Sequence, residues 1–403
     1  MKNILLLTSV YPAEDFPKDT TPVVHYFTRE WAKQGYHVKV IQNLVYYPKI
    51  AYFILYVFEK VISKFYNFLF RTKGYTKEKH YYFEEVEVHR LPIFKKFPLS
   101  LYSRKEQEKQ LNRIKNLVAS KKFTPDIIIG HWANPQLYQV IELGKIYPAR
   151  TCIVMHSDVK IINRMFGKRS KEIIDKIDIW GFRSIDIKNK FENQYGVVNK
   201  SFLCYSGIPP NKINLSGRTF KNGIQNFLFV GLLIPRKYPE VLIKAVNTAY
   251  QGKDFHITYI GTGREKVNIE RLAKKLNISE KISILGRVSR EEVYETMKVS
   301  DCFIMLSKPE TFGLVYLEAM SMGCITIGSK REGIDGVIKH GKNGFLSDAG
   351  DYNKLAELLD YISFLPEKEL CKISNNAIKT ASDLTDEKVA KRYLDSIKAA
   401  KLE

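Results

Sequence analysis

The chain opens with an apolar run, Ile4 to Leu7, that breaks at Thr8-Ser9 and Pro12. A short apolar run bounded by turn formers predicts a buried strand. Thr21-Pro22 then reads as a helix N-cap and first helical residue, and Val23, Val24, Phe27 and Trp31 recur on one helical face. Gly35 stands where a left-handed residue would end that helix, and His37-Val38-Lys39-Val40-Ile41 resumes as a strand. This strand–helix–strand unit predicts the opening of a doubly wound sheet, with further strands over 126–130, 151–155 and near 177–179. From about Asn226 the pattern restarts, with strands at 227–231, 257–260, 282–285, 302–305 and 324–327 and helices between them. Ser289 and Glu292 form a capping box for one of these helices, and Asp351 caps another that runs to about Leu365. The alternation predicts an α/β fold with parallel sheets. A stretch rich in Gly, Pro and Asn over 206–225 reads as a linker between domains at 1–205 and 226–380, with a C-terminal helix in 381–403 crossing back to the first domain.

Size and composition agree with this division. A chain of 403 residues exceeds the span over which one hydrophobic core usually grows, and 45% hydrophobic residues supply two cores. The five cysteines are scattered without a Cys-x-x-Cys pair, which suggests neither a disulfide framework nor a zinc site. The opening apolar run is too short for a signal peptide, so the chain is expected in the cytoplasm. A net charge of +21 calls for an anionic partner. Between Leu44 and Thr124 there are 17 Lys/Arg against 7 Asp/Glu, interleaved with aromatics, and this segment reads as a basic, membrane-facing insertion near 44–124. Within it, Tyr46 to Phe70 is strongly apolar but interrupted by Glu59-Lys60, too short and too charged to span a bilayer. Two readings stay open: a helix lying in the headgroup plane of an anionic membrane, or an inserted core helix under a loop. Nucleic acid is not the expected partner, since the chain has no zinc spacing, RNA-binding aromatic motif or arginine-rich tail.

The string from Lys308 to Gly323 (KPETFGLVYLEAMSMG) carries the most chemistry. It follows a predicted strand; Pro309 keeps the residue before it extended, Gly313 lets backbone approach a ligand, and a helix is predicted from Gly313 to Met322. Unpaired amides at that helix start make a site for a diphosphate at the carboxyl end of the strand. Glu310 and Glu318 flank it, and carboxylates there are suited to sugar hydroxyls rather than to phosphate. Two surface acids near a helix N-terminus would be the bland explanation of the pair alone.

The string from Glu310 through Phe312-Gly313-Leu314 to Glu318-Ala319-Met320 resembles the signature of the retaining GT-B glycosyltransferases, glycosyltransferase family 4 (glycosyl transferases group 1). Phe229-Val230-Gly231 with Pro235-Arg236-Lys237, Ile260-Gly261-Thr262-Gly263, Leu285-Gly286-Arg287-Val288 and Ser300 to Ser307 are similar to that family's successive blocks in the same order. The match is close in the second half and loose in the first. The resemblance implies a GT-B fold, two Rossmann-like domains facing across a cleft, and transfer of a hexosyl group from a nucleotide diphosphate sugar without metal or cofactor. It implies that Glu310 holds the transferred sugar and Glu318 the ribose, and that the backbone of Thr311, Phe312, Gly313 and Leu314 meets the diphosphate. Lys237 would neutralise the leaving group, a role for a cation where charge builds in the transition state. The family often places an Arg directly after the glycine Gly231, where this chain has Leu232, and Arg236 is the candidate to compensate. The resemblance also implies that Gly261 lies beside the donor, and Arg287 and Val288 against its base.

In the first half, Met155-His156-Ser157-Asp158 resembles the family's His-Gly-acid segment, with His156 touching the donor sugar, and His131 resembles a cleft-lining histidine. The family's Gly-Gly pair after the first strand is missing; Thr20 and Thr21 are the candidates to offer donors in its place. The resemblance implies retention by front-face attack, an acceptor that is an oligosaccharide or lipid-linked saccharide of a bacterial surface polysaccharide, and a UDP-sugar ahead of a GDP-sugar as donor. Work on the inner face of the plasma membrane would follow. A nucleotide-sugar 2-epimerase of the same architecture is the alternative enzyme.

Overall fold

The computed structural model describes residues 2–15, 22–57, 76–98, 100–120, 123–198 and 200–400. Two compact units share them: Met1–Arg183, Ile187–Tyr205 and Asp386–Glu403 form the first, Ser184–Asp186 and Ser206–Thr385 the second.

The first unit is built on β1 (Asn3–Thr8), β2 (His37–Tyr46), β3 (Lys79–Phe83), β4 (Val86–Phe94), β5 (Ile127–His131), β6 (Arg150–Met155), β7 (Ile179–Phe182) and β8 (Ser201–Leu203). Their order in the sheet is β3-β4-β2-β1-β5-β6-β7-β8, parallel except for the β3–β4 hairpin. Ile4 to Leu7 of β1 are wholly buried, as a central strand covered on both faces requires. The helix Val23–Lys33 buries Val24, Phe27 and Trp31. The helix Asp386–Ala399 packs beside it: Trp31 Nε1 donates to the carbonyl of Ala390 at 2.9 Å, and the Tyr393 ring meets Trp31 edge-on at 5.1 Å.

The basic segment near 44–124 differs from its expected form. Part of it is the sheet itself: β4 pairs with β2 from Lys39↔Glu87 to Tyr46↔Phe94, and the helix Arg104–Ser120 puts Leu111, Ile114 and Val118 into the core. β4 was hidden because it is buried on both faces yet carries Glu87, His89 and Arg90, so it shows neither a clean alternation nor an apolar run. The apolar stretch begins with a helix, Lys49–Val57, on which Ile50 and Phe53 are 67% and 65% exposed; its continuation over 58–75 lies outside the described residues. No described helix is long and apolar enough to cross a membrane.

The second unit holds β9 (Asn226–Val230), β10 (His256–Ile260), β11 (Ile282–Gly286), β12 (Cys302–Ile304), β13 (Ile325–Ser329) and β14 (Phe345–Ser347), all parallel, in the order β11-β10-β9-β12-β13-β14. The residues read as a linker are part of this unit. Arg218 donates to the carbonyls of Met297 and Lys298, and Phe220 is buried with its amide on Glu367. The capping box of Ser289 and Glu292 is formed, and Asp351 accepts from the amide of Lys354.

In each sheet the strand order reverses once, between β1 and β5 in the first and between β9 and β12 in the second. Crevices at such reversals, at the carboxyl ends of the strands, are where open α/β sheets bind ligands. Of the residues singled out in the sequence, His131, His156, Gly231 and Gly261 stand at or just past the carboxyl ends of strands.

Candidate active site

In the second unit, β9 leads through Gly231 into a single turn of 3-10 helix, Pro235–Lys237, before the helix Pro239–Ala249. Gly261, after the neighbouring β10, has φ +139°, and a Cβ on it would stand 1.9 Å from the Gly231 carbonyl oxygen. Only glycine lets these two strand ends meet. The turn sends Lys237 back toward the strand ends, its Nζ 3.3 Å from Met305 Sδ and 3.8 Å from Glu310 Oε2. Arg236 Nη1 donates to the Pro309 carbonyl at 2.9 Å and lies 3.7 Å from the same carboxylate oxygen. Ser307 Oγ donates to it at 3.0 Å. Burial lowers the Lys237 pKa, and Arg236 adds to this while Glu310 opposes it. Glu310 thus draws two cations and a hydroxyl around one oxygen. Desolvation makes such a group costly unless it is paired, and here it is paired from three sides.

The loop bearing Glu310 is clamped from behind. Its amide donates to Glu332 Oε2 at 2.8 Å, the amide of Gly333 donates to its carbonyl at 2.9 Å, and Lys308 donates to the Arg236 carbonyl at 2.7 Å. Thr311 donates its amide to Glu310 Oε1 at 3.2 Å, and Phe312 is buried beneath. Gly313 then takes φ +75°, where a Cβ would lie 2.4 Å from the Tyr316 ring, and the helix Leu314–Ser321 begins. The first amides of an α-helix lack acceptors within it, so this start offers donors and a positive dipole end to an anion. Glu318, 8% exposed on that helix, takes both Nε (3.0 Å) and Nη2 (2.7 Å) of Arg290 on its Oε1. Arg287 is exposed and Val288 half-buried in the loop after β11.

In the first unit, His131 closes β5 and is fully buried. Its Nδ1 is 3.0 Å from His156 Nε2, and its Nε2 is 3.2 Å from the Tyr393 hydroxyl. His156, just past β6, is sandwiched against Trp132, whose ring stacks on it at 3.8 Å with an interplanar angle of 16°. Trp132 takes φ +65° to reach that position. Burial, with Arg183 nearby, pushes the His131 pKa down to about 3; burial and His131 drive that of His156 well below the usual histidine range. Both rings are neutral at physiological pH. Asp158 does not join them: it pairs with Arg164, and half of its side chain is exposed. Thr20 and Thr21 lie outside the described residues.

Residues 217–380 match the family model for glycosyl transferases group 1. An uncharacterized glycosyltransferase of Methanocaldococcus jannaschii is 29% identical over 330 residues, covering 79% of this chain and 87% of its own. Among solved structures, the apo form of the lipopolysaccharide outer core galactosyltransferase WaaB superposes with a TM-score of 0.69 at 16% identity over 98% of this chain and 99% of its own. Anabaena HepE, in complex with UDP and glucose, gives 0.64 at 14% identity over 99% and 100%. The fold is GT-B, two parallel-sheet α/β units, and it fits the strand orders above. The group 1 glycosyltransferase match falls within the second unit.

Sequence reasoning missed Arg290, Glu332 and Trp132. Arg290 carried a signal, since it follows the capping Ser289 as the first residue of the helix Arg290–Val299 and so faces the strand ends. Glu332 is 22 residues from Glu310 on another loop, and no local spacing announces it.

Proposed function

We propose that this protein is a retaining hexosyltransferase of glycosyltransferase family 4 that uses a UDP-hexose, in preference to a GDP-hexose, and a lipid-linked saccharide acceptor of bacterial surface polysaccharide biosynthesis. The observation that carries the reading is the convergence of Lys237, Arg236 and Ser307 on Glu310 at the start of the helix that bears Glu318. In this reading the diphosphate lies on the amides of Gly313 and Leu314, and Lys237 and Arg236 turn from Glu310 toward the charge that grows on the leaving phosphate. Glu310 is left to accept from the sugar hydroxyls. Arg290 holds Oε1 of Glu318 and leaves Oε2 to accept from the ribose. His156 serves the sugar as a neutral imidazole, and His131, whose two ring nitrogens are taken by His156 and Tyr393, positions it. The acceptor hydroxyl attacks from the face of the departing diphosphate, which takes the proton, so the C1–O bond to phosphate breaks as the new glycosidic bond forms and the anomeric configuration is kept. The protein supplies position and charge rather than a covalent nucleophile. UDP and glucose in HepE support the donor assignment, and the galactosyltransferase WaaB the polysaccharide setting.

The basic first unit and the exposed Ile50 and Phe53 support a cytoplasmic protein held at the inner face of the membrane. Flotation with liposomes tests this; equal recovery with neutral and anionic lipid overturns it. Saturation-transfer NMR against UDP-, GDP- and ADP-hexoses, on the wild type and Glu318→Ala, tests the donor. One nucleotide sugar bound by the wild type and lost in the variant is expected, and no binding to any of them would refute the reading. The anomeric coupling constant of the product reads retention directly.

A further inference from the structure

The β3–β4 hairpin carries a side-chain cluster that the transferase reading does not use. His80 and His89 are direct cross-strand partners, and Glu87 stands two residues before His89, so all three share one face of the hairpin. The two imidazoles stack with centroids 4.3 Å apart and planes 9° from parallel. Glu87 Oε1 is 3.1 Å from His80 Nε2 and 2.8 Å from His89 Nε2, and the three donor atoms all lie within 4.8 Å of one another. Ligand atoms about 2.0–2.1 Å from a tetrahedral ion stand roughly 3.4 Å apart, a spacing that the two nitrogen–oxygen separations approach, and one of the parallel rings must tilt for both lone pairs to meet one ion.

We propose that His80, Glu87 and His89 form a binding site for a borderline-soft divalent cation, Zn²⁺ or its analogue Co²⁺, that staples the edge hairpin of the first sheet. The donor set suits such an ion: two imidazole nitrogens and one carboxylate oxygen, with the remaining positions open to water because the His80 side chain is 45% exposed. The ion would replace the protons that the two rings now direct at one carboxylate oxygen. Lys39 Nζ stays 3.4 Å from the other oxygen, Oε2, and orients the carboxylate while its charge holds the affinity to a modest level. The staple has a local consequence. Lys79 and Arg90, the cross-strand pair next to His80 and His89, grip Asp15 in the loop after β1, with Arg90 donating to both of its oxygens at 2.8 and 2.9 Å.

The test is titration of the full, chelator-treated protein with Zn²⁺ against a chromophoric competitor, and with Co²⁺ by its visible absorption. One equivalent bound in the micromolar range is expected, with a Zn²⁺-dependent rise in Tm. His80→Ala and His89→Ala should each weaken binding at least roughly 10-fold and abolish the rise. Because His80 is on the surface, its variant keeps the fold and decides the matter even where His89→Ala does not. No binding up to millimolar metal, or binding unchanged in His80→Ala, overturns the site. Neither outcome bears on donor binding, which the NMR experiment reads separately.

Discussion

The reversal points of the two sheets are built in the same place and from opposite materials. In the second unit the strand ends gather formal charges, Lys237 and Arg236 around Glu310 and Arg290 on Glu318, each balanced by a partner. In the first unit they gather mainly uncharged rings, buried His131, His156 and Tyr393 and half-buried Trp132, stacked and hydrogen-bonded beside the buried Arg183. Under the proposed function the difference follows from what each unit would meet. Charge that appears during a reaction is best stabilised by charge already in place, while hydroxyl groups that stay neutral need donors and acceptors without the desolvation cost of ions.

The sharpest way to break this comparison is Lys237→Ala. If the second unit works through charge, turnover falls about 1,000-fold while circular dichroism and Tm hold, and a rate within a few-fold of wild type would remove Lys237 from the chemistry. Glu310→Ala comes next, with a loss of about 100-fold in kcat measured with saturating donor, because in the proposed reaction its acceptors act on the sugar rather than on the growing charge. A pH effect probes the first unit. His131 is held down to about 3 against an ordinary 6.5, so the unfolded chain takes up a proton that the folded one refuses. The stabilising preference for the neutral ring is complete above the ordinary value and erodes as pH falls toward the folded one, amounting to about 2 kcal/mol lost near pH 5. Urea unfolding at pH 7 and pH 5 reads it, and the pH difference should shrink in His131→Gln. The smallest effect is Arg290→Ala, which frees Glu318 to swing and should raise the Kd for the nucleoside diphosphate about 10-fold, with Arg290→Lys between the two.

Much of this was legible in the chain. The core strands were found because Ile4 to Leu7, Ile127 to Ile129 and Phe227 to Phe229 are apolar runs between turn formers, and the loop from Lys308 to Gly313 because Pro309 and Gly313 mark its backbone and the whole string resembles a family signature. β4 was not legible, since its buried polar residues answer partners 39 to 42 and at Asp15 that only the folded sheet supplies. For the same reason Glu332 and Arg290 escaped: their roles are set by hydrogen bonds across loops. His131 and His156 were read as separate strand-end residues, and only the structure joins them into a pair with Trp132 and Tyr393.

The helix Asp386–Ala399 has a consequence for how the molecule is made. It closes over the helix Val23–Lys33, and Arg150 of β6 donates to the carbonyl of Ile397 at 3.2 Å, yet it is the last described helix of the chain. A ribosome releases the whole second unit before it releases this helix. The first unit therefore waits for residues more than 350 positions downstream to cover Trp31, as the bond from Trp31 to Ala390 shows. Order of birth and order of completion are reversed between the two units.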